Sequence, residues 1–222
     1  MNKPRLLDLF CGAGGCAMGY HQAGFEVVGV DINPQPHYPF AFVQADALTY
    51  PLQGFDVIHA SPPCQGYSRS RHIVRTVDHR KEHPMLIDIV RNRLRQTDLP
   101  WIIENVQYAP MPHFLMLCGT QFGLKMYRHR QFESSHLLMS PGRCQHPHEL
   151  LPGYMCIYGH HCRGRQIGKT GNHYKLFPVA EGRIAMGIDW HMTQNELSQA
   201  IPPAYTRWIG TQLIDIIKRN EE

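Results

Sequence analysis

The chain has 222 residues, 43% of them hydrophobic and 18% charged, which is enough to bury one sizeable core and too apolar for a disordered or fibrous protein. No apolar run approaches the roughly 18 residues that span a bilayer, and Met1-Asn2-Lys3-Pro4-Arg5 leads into a short apolar run broken by Asp8, unlike a signal peptide. A cytoplasmic protein with no membrane partner, monomeric or weakly dimeric, is the expectation. The formal net charge of +4 matters only where it is clustered, and seven cysteines suit reduced thiols, one of them catalytic or metal-bound, better than a disulfide framework.

Leu6-Leu7-Asp8-Leu9-Phe10 reads as a strand that stops at the turn Cys11-Gly12-Ala13-Gly14-Gly15. A helical stretch, Cys16 to Ala23, follows, and Phe25 to Val30 forms a second strand closed by Asp31. Strand, glycine turn, helix, strand and acid in this order predict a βαβ unit in a parallel sheet. The glycines let a ligand approach the backbone at a helix start, and an acid in the position of Asp31 can accept from both hydroxyls of a ribose. The turn lacks the spaced three-glycine dinucleotide pattern and is not followed by a phosphate-binding Lys-Ser/Thr, so a nucleoside ligand such as S-adenosylmethionine is favoured over NAD or ATP.

Phe42 to Leu48 reads as a third strand ending near Asp46, which can accept from an adenine amine. Phe55 to Ala60 is a fourth, running straight into Ser61-Pro62-Pro63-Cys64-Gln65-Gly66-Tyr67-Ser68. Cys64 is held on a stiff turn at the sheet mouth and is the candidate nucleophile, whereas Cys16 and Cys118 read as inert buried thiols. Between residues 69 and 95, Arg69, Arg71, Arg75, Arg80, Lys81, Arg91, Arg93 and Arg95 face only Asp78, Glu82 and Asp88, which predicts a phosphate-contacting segment. Trp101 to Val106 is a fifth strand, where Glu104 can bond a ring nitrogen and an exocyclic amine of a base. Arg128 and Arg130 are two residues apart and point the same way if that segment is extended.

Taken together, these residues resemble the DNA cytosine carbon-5 methyltransferases. Asp8 to Gly15 is similar to the family's opening cofactor motif, Asp31 and Asp46 to its next two cofactor acids, and Pro62-Pro63-Cys64-Gln65 to its nucleophile motif. Glu104-Asn105-Val106, Arg128-His129-Arg130 and the stretch Glu196 to Pro203 match the base-recognition, Arg-x-Arg and final motifs in family order. The resemblance implies a single α/β domain over residues 1–222, a doubly wound, mostly parallel, Rossmann-like sheet with a small Cys/His-rich insertion at 131–182. It implies methylation of cytosine carbon 5 in duplex DNA from S-adenosylmethionine, with Cys64, Glu104, Arg128 and Arg130 catalytic on a flipped base. The cofactor would be held by Phe10, Cys11, Gly12, Gly14, Gly15, Asp31, Ile32, Asp46, Ala47, Pro62, Gln199 and Ala200. Nucleic acid would be contacted by Gln65, Ser68, Arg69, Arg71, Arg75, Arg163, Arg165 and Lys169.

Two features depart from the family pattern. Only 52 residues, 131–182, stand where a target-recognition domain is usual, so a target of roughly two to four base pairs is expected, with RNA or a free pyrimidine nucleotide as alternative substrates. That segment holds Cys144, His146, His148, Cys156, His160, His161 and Cys162, and a zinc ion on Cys144, Cys156, His160 and Cys162 is the metal reading. In the last motif, Ser198-Gln199-Ala200-Ile201-Pro202 replaces Gly-Asn-Ala-Val-Pro, which leaves a modified S-adenosylmethionine as a further alternative. A catalytically silent nucleic-acid binder is disfavoured by the presence of Cys64, Glu104 and the arginine pair.

Overall fold

Neighbouring residues of the first strand serve opposite faces of the sheet. In β1 (Arg5–Leu9), Leu6 enters one hydrophobic core while Leu7 and Leu9 enter another, because successive strand side chains alternate. The computed structural model describes residues 3–67, 84–147, 149–158, 161–168 and 171–221. Around β1 lie β2 (Glu26–Asp31), β3 (Ala41–Gln44), β4 (Val57–Ala60), β5 (Trp101–Val106), β6 (Leu115–Leu117) and β7 (Arg130–Ser134), in the order β3-β2-β1-β4-β5-β7-β6. The first five pair in parallel, and β7 runs antiparallel to both β5 and β6.

Helices cover both faces, which explains why the inner strands read as mostly apolar runs. On one side, Leu6, Val27, Val57 and Ile102 pack with Tyr20 of α1 (Gly15–Ala23) and Tyr205, Ile209 and Leu213 of α5 (Pro203–Glu221). On the other, Leu7, Val28, Ile58 and Ile103 meet Ile87, Val90 and Leu94 of α2 (Ile87–Leu94). The doubly wound, mostly parallel sheet is therefore as expected. Among the described residues, no helix is long and apolar enough to cross a membrane.

A second sheet, β8 (Met155–Tyr158), β9 (His161–Gly168) and β10 (Gly171–Phe177), is an antiparallel meander. The short helices α3 (Val179–Met186) and α4 (Gln194–Gln199) follow it. The expected insertion at 131–182 thus begins later than its stated start, because residues 131–134 belong to β7 and pair with β5 in the main sheet. Strand β3 is also shorter than expected and leaves Asp46 beyond its end, in a turn where the carboxylate accepts from Leu48 N at 2.9 Å.

Candidate active site

Strand order reverses at β1, whose neighbours β2 and β4 lead away in opposite directions, and ligands of such sheets bind at the carboxyl ends of the strands on either side. The glycine turn leaves β1 there and the Cys64 loop leaves β4. Ser61 N donates to Leu9 O at 3.0 Å, and the buried Asn105 side chain donates to Pro62 O at 2.9 Å. Two prolines and this pair of tethers hold Cys64, half-buried, at the sheet mouth beside the exposed Gln65. Burial pushes the Cys64 thiol up, and the Arg130 and Arg128 charges pull it back down.

Glu104, buried near the end of β5, lies 3.1 Å from Arg130 Nε in an ion pair. Burial raises its carboxyl above the usual range, against the opposing pull of Arg130, Arg128 and a hydrogen bond from Ser61. The two arginines do not share one task, as an extended segment would suggest. Strand β7 starts only at Arg130; Arg128, before it, donates to Ile157 O and Ser198 O at 2.7 Å each. Arg128 ties the second sheet and α4 to the site, while Arg130 faces Glu104.

Behind Glu104 runs a buried polar chain that the sequence reading did not single out. Tyr20 Oη lies 2.9 Å from His59 Nδ1, and His59 Nε2 lies 2.8 Å from Ser61 Oγ. Full burial pushes the imidazole down to about 3, so it is neutral. The consistent pattern is Tyr20 O–H to Nδ1, Nε2–H to Ser61 Oγ, and Ser61 O–H to Glu104. The signal was a histidine and a serine closing an otherwise apolar strand.

The expected cofactor residues gather on the other side of the crevice. Phe10, Gly12 and Gly14 have φ of 59°, 50° and 87°; nothing within 4 Å would meet a Cβ on Gly12, so the backbone is open there, while Gly14 packs against Tyr38 and Pro39. Cys11 is buried, with its N–H on Val30 O. Asp31 accepts from Gly12 N at 3.2 Å and Asn33 N at 2.9 Å, which leaves a lone pair on each oxygen, and Ile32 beside it is 64% exposed. Asp46 keeps one oxygen beyond its Leu48 bond, next to buried Ala47. A Cβ on Gly15 would sit 2.4 Å from Ile201 O, so the last motif closes on the turn and brings Ala200 and the exposed Gln199 to it. Open backbone, carboxylates at strand ends and an exposed apolar side chain fit a nucleoside ligand such as S-adenosylmethionine.

Three expectations for the rest of the chain change. Within the 69–95 segment, Arg91 and Arg93 are structural: Arg91 makes paired 2.7 Å bonds to Glu133, and Arg93 donates to Ala47 O and Tyr50 O. The expected zinc set does not assemble. Ile157 pairs with Cys162 and Cys156 with Arg163 across β8 and β9, so Cys156 and Cys162 lie on opposite faces of the small sheet. Cys162 packs among Ala13, Met126 and Leu197, whereas Cys144 meets Cys118, His129 and His146, so Cys118 is not an isolated core thiol. Ser68, Arg69, Arg71, Arg75, His148, His160 and Lys169, and the Arg165 and His161 side chains, lie outside the described residues; Arg163 is exposed.

The sheet order and crevice make a Rossmann-like α/β architecture of the kind seen in solved methyltransferase structures. The chain superposes on the S. pombe Dnmt2 methyltransferase with a TM-score of 0.64 and 14% identity, over 97% of this chain and 99% of that one. For the Entamoeba histolytica methyltransferase EhMeth the TM-score is 0.59 at 12% identity, over 98% and 99%. Residues 4–109 match the family described as C-5 cytosine-specific DNA methylase. The chain is 31% identical over 120 residues to the Type II methyltransferase M1.HphI of Haemophilus parahaemolyticus, covering 45% of this chain and 32% of that protein. It is also 32% identical over 84 residues to Type II methyltransferase M.AgeI of Thalassovita gelatinovora, covering 29% and 19%. The matches span a third or less of these curated relatives' lengths.

Proposed function

We propose that the protein methylates carbon 5 of cytosine in DNA, an inference carried by the convergence of Cys64, Glu104 and Arg130 at one sheet mouth. Carbon 5 is too weak a nucleophile unaided. The Cys64 thiolate adds to carbon 6, its electron pair forming the C–S bond while ring electrons shift toward carbon 5 and ring nitrogen 3. Glu104, its carboxyl raised by burial, holds a proton at nitrogen 3 and balances that shift. Arg130 keeps Glu104 aligned and draws the Cys64 thiol toward its thiolate. Once carbon 5 has taken the methyl group, its proton passes to water, the C–H electrons re-form the carbon 5–carbon 6 double bond, and the Cys64–carbon 6 bond breaks with its pair returning to the thiolate sulfur.

S-adenosylmethionine, when bound, supplies an electrophilic methyl group. Asp31 would take its ribose hydroxyls and Asp46 its adenine amine, with Ile32 against the ring. The Gly12–Gly15 backbone and Ala200 would line the methionine end, where Gln199 stands in place of the family's asparagine. Gln65, Arg163 and the basic residues 69–75 supply contacts to the duplex from which the cytosine is flipped. The reduced insertion supports a short target, since base contacts specify sequence.

Labelled methyl transfer to duplex DNA, tRNA and dCMP tests the reading. The expected product is 5-methylcytosine in the duplex, abolished by Cys64→Ala with donor binding kept. Label confined to tRNA or dCMP would replace the substrate class, and donor binding without transfer to any acceptor would leave a silent binder.

A further inference from the structure

Outside the crevice, four side chains from three separated stretches converge. Cys118 follows β6, His129 is the middle residue of Arg128-His129-Arg130, and Cys144 and His146 lie on the loop after β7. One sulfur or nitrogen from each lies within 4.8 Å of all the others. Cys118 Sγ is 3.5 Å from His146 Nε2, and Cys144 Sγ is 3.5 Å from His129 Nε2. A tetrahedral zinc ion with sulfur at ~2.3 Å and nitrogen at ~2.0–2.1 Å spaces adjacent S and N ligands by about 3.6 Å. The two measured edges match that spacing.

The surroundings prepare the ligands. His146 Nδ1 lies 2.9 Å from Pro147 O, so that nitrogen carries the proton and donates, and the Nε2 lone pair is left facing the sulfurs. Tyr127 stacks on the His146 ring at 3.9 Å and fixes its plane. Thr120 Oγ1 is 3.6 Å from one sulfur and 3.4 Å from the other, placed to donate to a thiolate. Gln121 accepts from Cys118 N at 2.7 Å and donates to Gly142 O at 2.6 Å, clamping the two cysteine-bearing stretches together. Two sulfurs and two imidazoles in a closed set select zinc over hard cations such as magnesium or calcium.

The geometry points to a structural zinc site formed by Cys118, His129, Cys144 and His146, which fastens the insertion to the arginine segment of the active site. His129 is the link. Its carbonyl accepts from Arg130 Nη1 at 2.8 Å, and the same guanidinium carries the ion pair with Glu104. The ion would thus anchor the backbone that aims Arg130. The ligands follow no finger spacing, because β6, β7 and the loop between β7 and β8 bring them together rather than the sequence. The site stands on its own geometry, whatever the acceptor of the methyl group.

The test uses full-length, untagged protein purified without chelator or added metal, with metal content read by mass spectrometry. About one zinc per chain is expected, released in step with modification of two thiols. Cobalt(II) exchanged into the site should show the intense visible bands of a tetrahedral thiolate complex. Cys144→Ser and His146→Asn, on the exposed loop, should lose the metal on dialysis, while Cys156→Ser and Cys162→Ser should retain it. Should the ligand variants fail to fold, the cobalt spectrum of the unaltered protein still decides. Chelation should lower the melting temperature of the unaltered protein. Absence of metal with all seven thiols free, a Cys118–Cys144 disulfide in place of zinc, or metal retained by both ligand variants would each overturn the assignment.

Discussion

His59 Nε2 stands 2.8 Å from Ser61 Oγ, and through that hydroxyl a histidine with no access to solvent is linked to the buried Glu104 carboxyl. The imidazole is neutral, so the chain from Tyr20 to Glu104 transmits orientation rather than charge. Ser61 donates to the ionised form of Glu104 and lowers its proton affinity.

Ser61→Ala should therefore raise the Glu104 carboxyl further, because burial would be opposed by fewer donors. The limb of the activity–pH profile on which Glu104 loses its proton should move to higher pH. Measured kcat against pH in both proteins checks this; an unmoved or downward-shifted limb would show that Ser61 does not act on Glu104.

Gly19 sits inside α1, where alanine usually gains about 1 kcal/mol over glycine. Here the sign should reverse. A Cβ would lie 2.1 Å from both Pro203 O and Thr206 Oγ1, with α5 backbone leaving no room to yield. Gly19→Ala should cost about 1–3 kcal/mol in a denaturant titration, and a neutral or stabilising result would mean that α1 and α5 separate readily.

Asp8 is fully buried, and its carboxyl is raised by burial first and by the Asp31 charge second. A raised folded-state value means that the native protein keeps the proton longer than the unfolded chain. Stability should then fall as pH climbs above about 4, the ordinary aspartate range, toward the folded value. Asp8→Asn removes that loss. The variant should match the parent near pH 4 and exceed it increasingly toward neutrality, by comparison of denaturation midpoints; a gain largest at low pH would contradict the sign.

Arg91 and Glu133 form a buried pair through two 2.7 Å bonds. Arg91→Leu alone should destabilise by about 3–5 kcal/mol by stranding a carboxylate, and the double change with Glu133→Leu should recover most of it. Thermal melts of the three variants give the coupling directly, and additive losses would mean that the two side chains act independently.

The first βαβ unit was readable because its signals are local: apolar runs, a glycine turn and a terminal acid lie within 31 residues. Cys64 and Glu104 stood out as chemically active side chains closing apolar strands. Arg91 misled because a count of charges cannot show that one guanidinium meets a carboxylate 42 residues away. His129 and Cys118 escaped as partners of Cys144 for the same reason, their proximity being a product of strand pairing. The second sheet was hidden because stretches such as His161–Gly168 mix cations, glycine and apolar residues without clear alternation.

The crevice is built from stretches far apart in the sequence. Trp190 donates to Ala13 O across 177 residues, and Thr206 donates to Cys16 O across 190. During synthesis the glycine turn leaves the ribosome before its closing wall, which follows roughly 10–35 s later at ordinary elongation rates. A nascent or prematurely terminated chain therefore holds Cys64 and Glu104 but lacks the surface against which Gly15 packs. The order of synthesis thus lays down the strands that carry Cys64 and Glu104 before the wall, residues 190–206, that closes on the glycine turn.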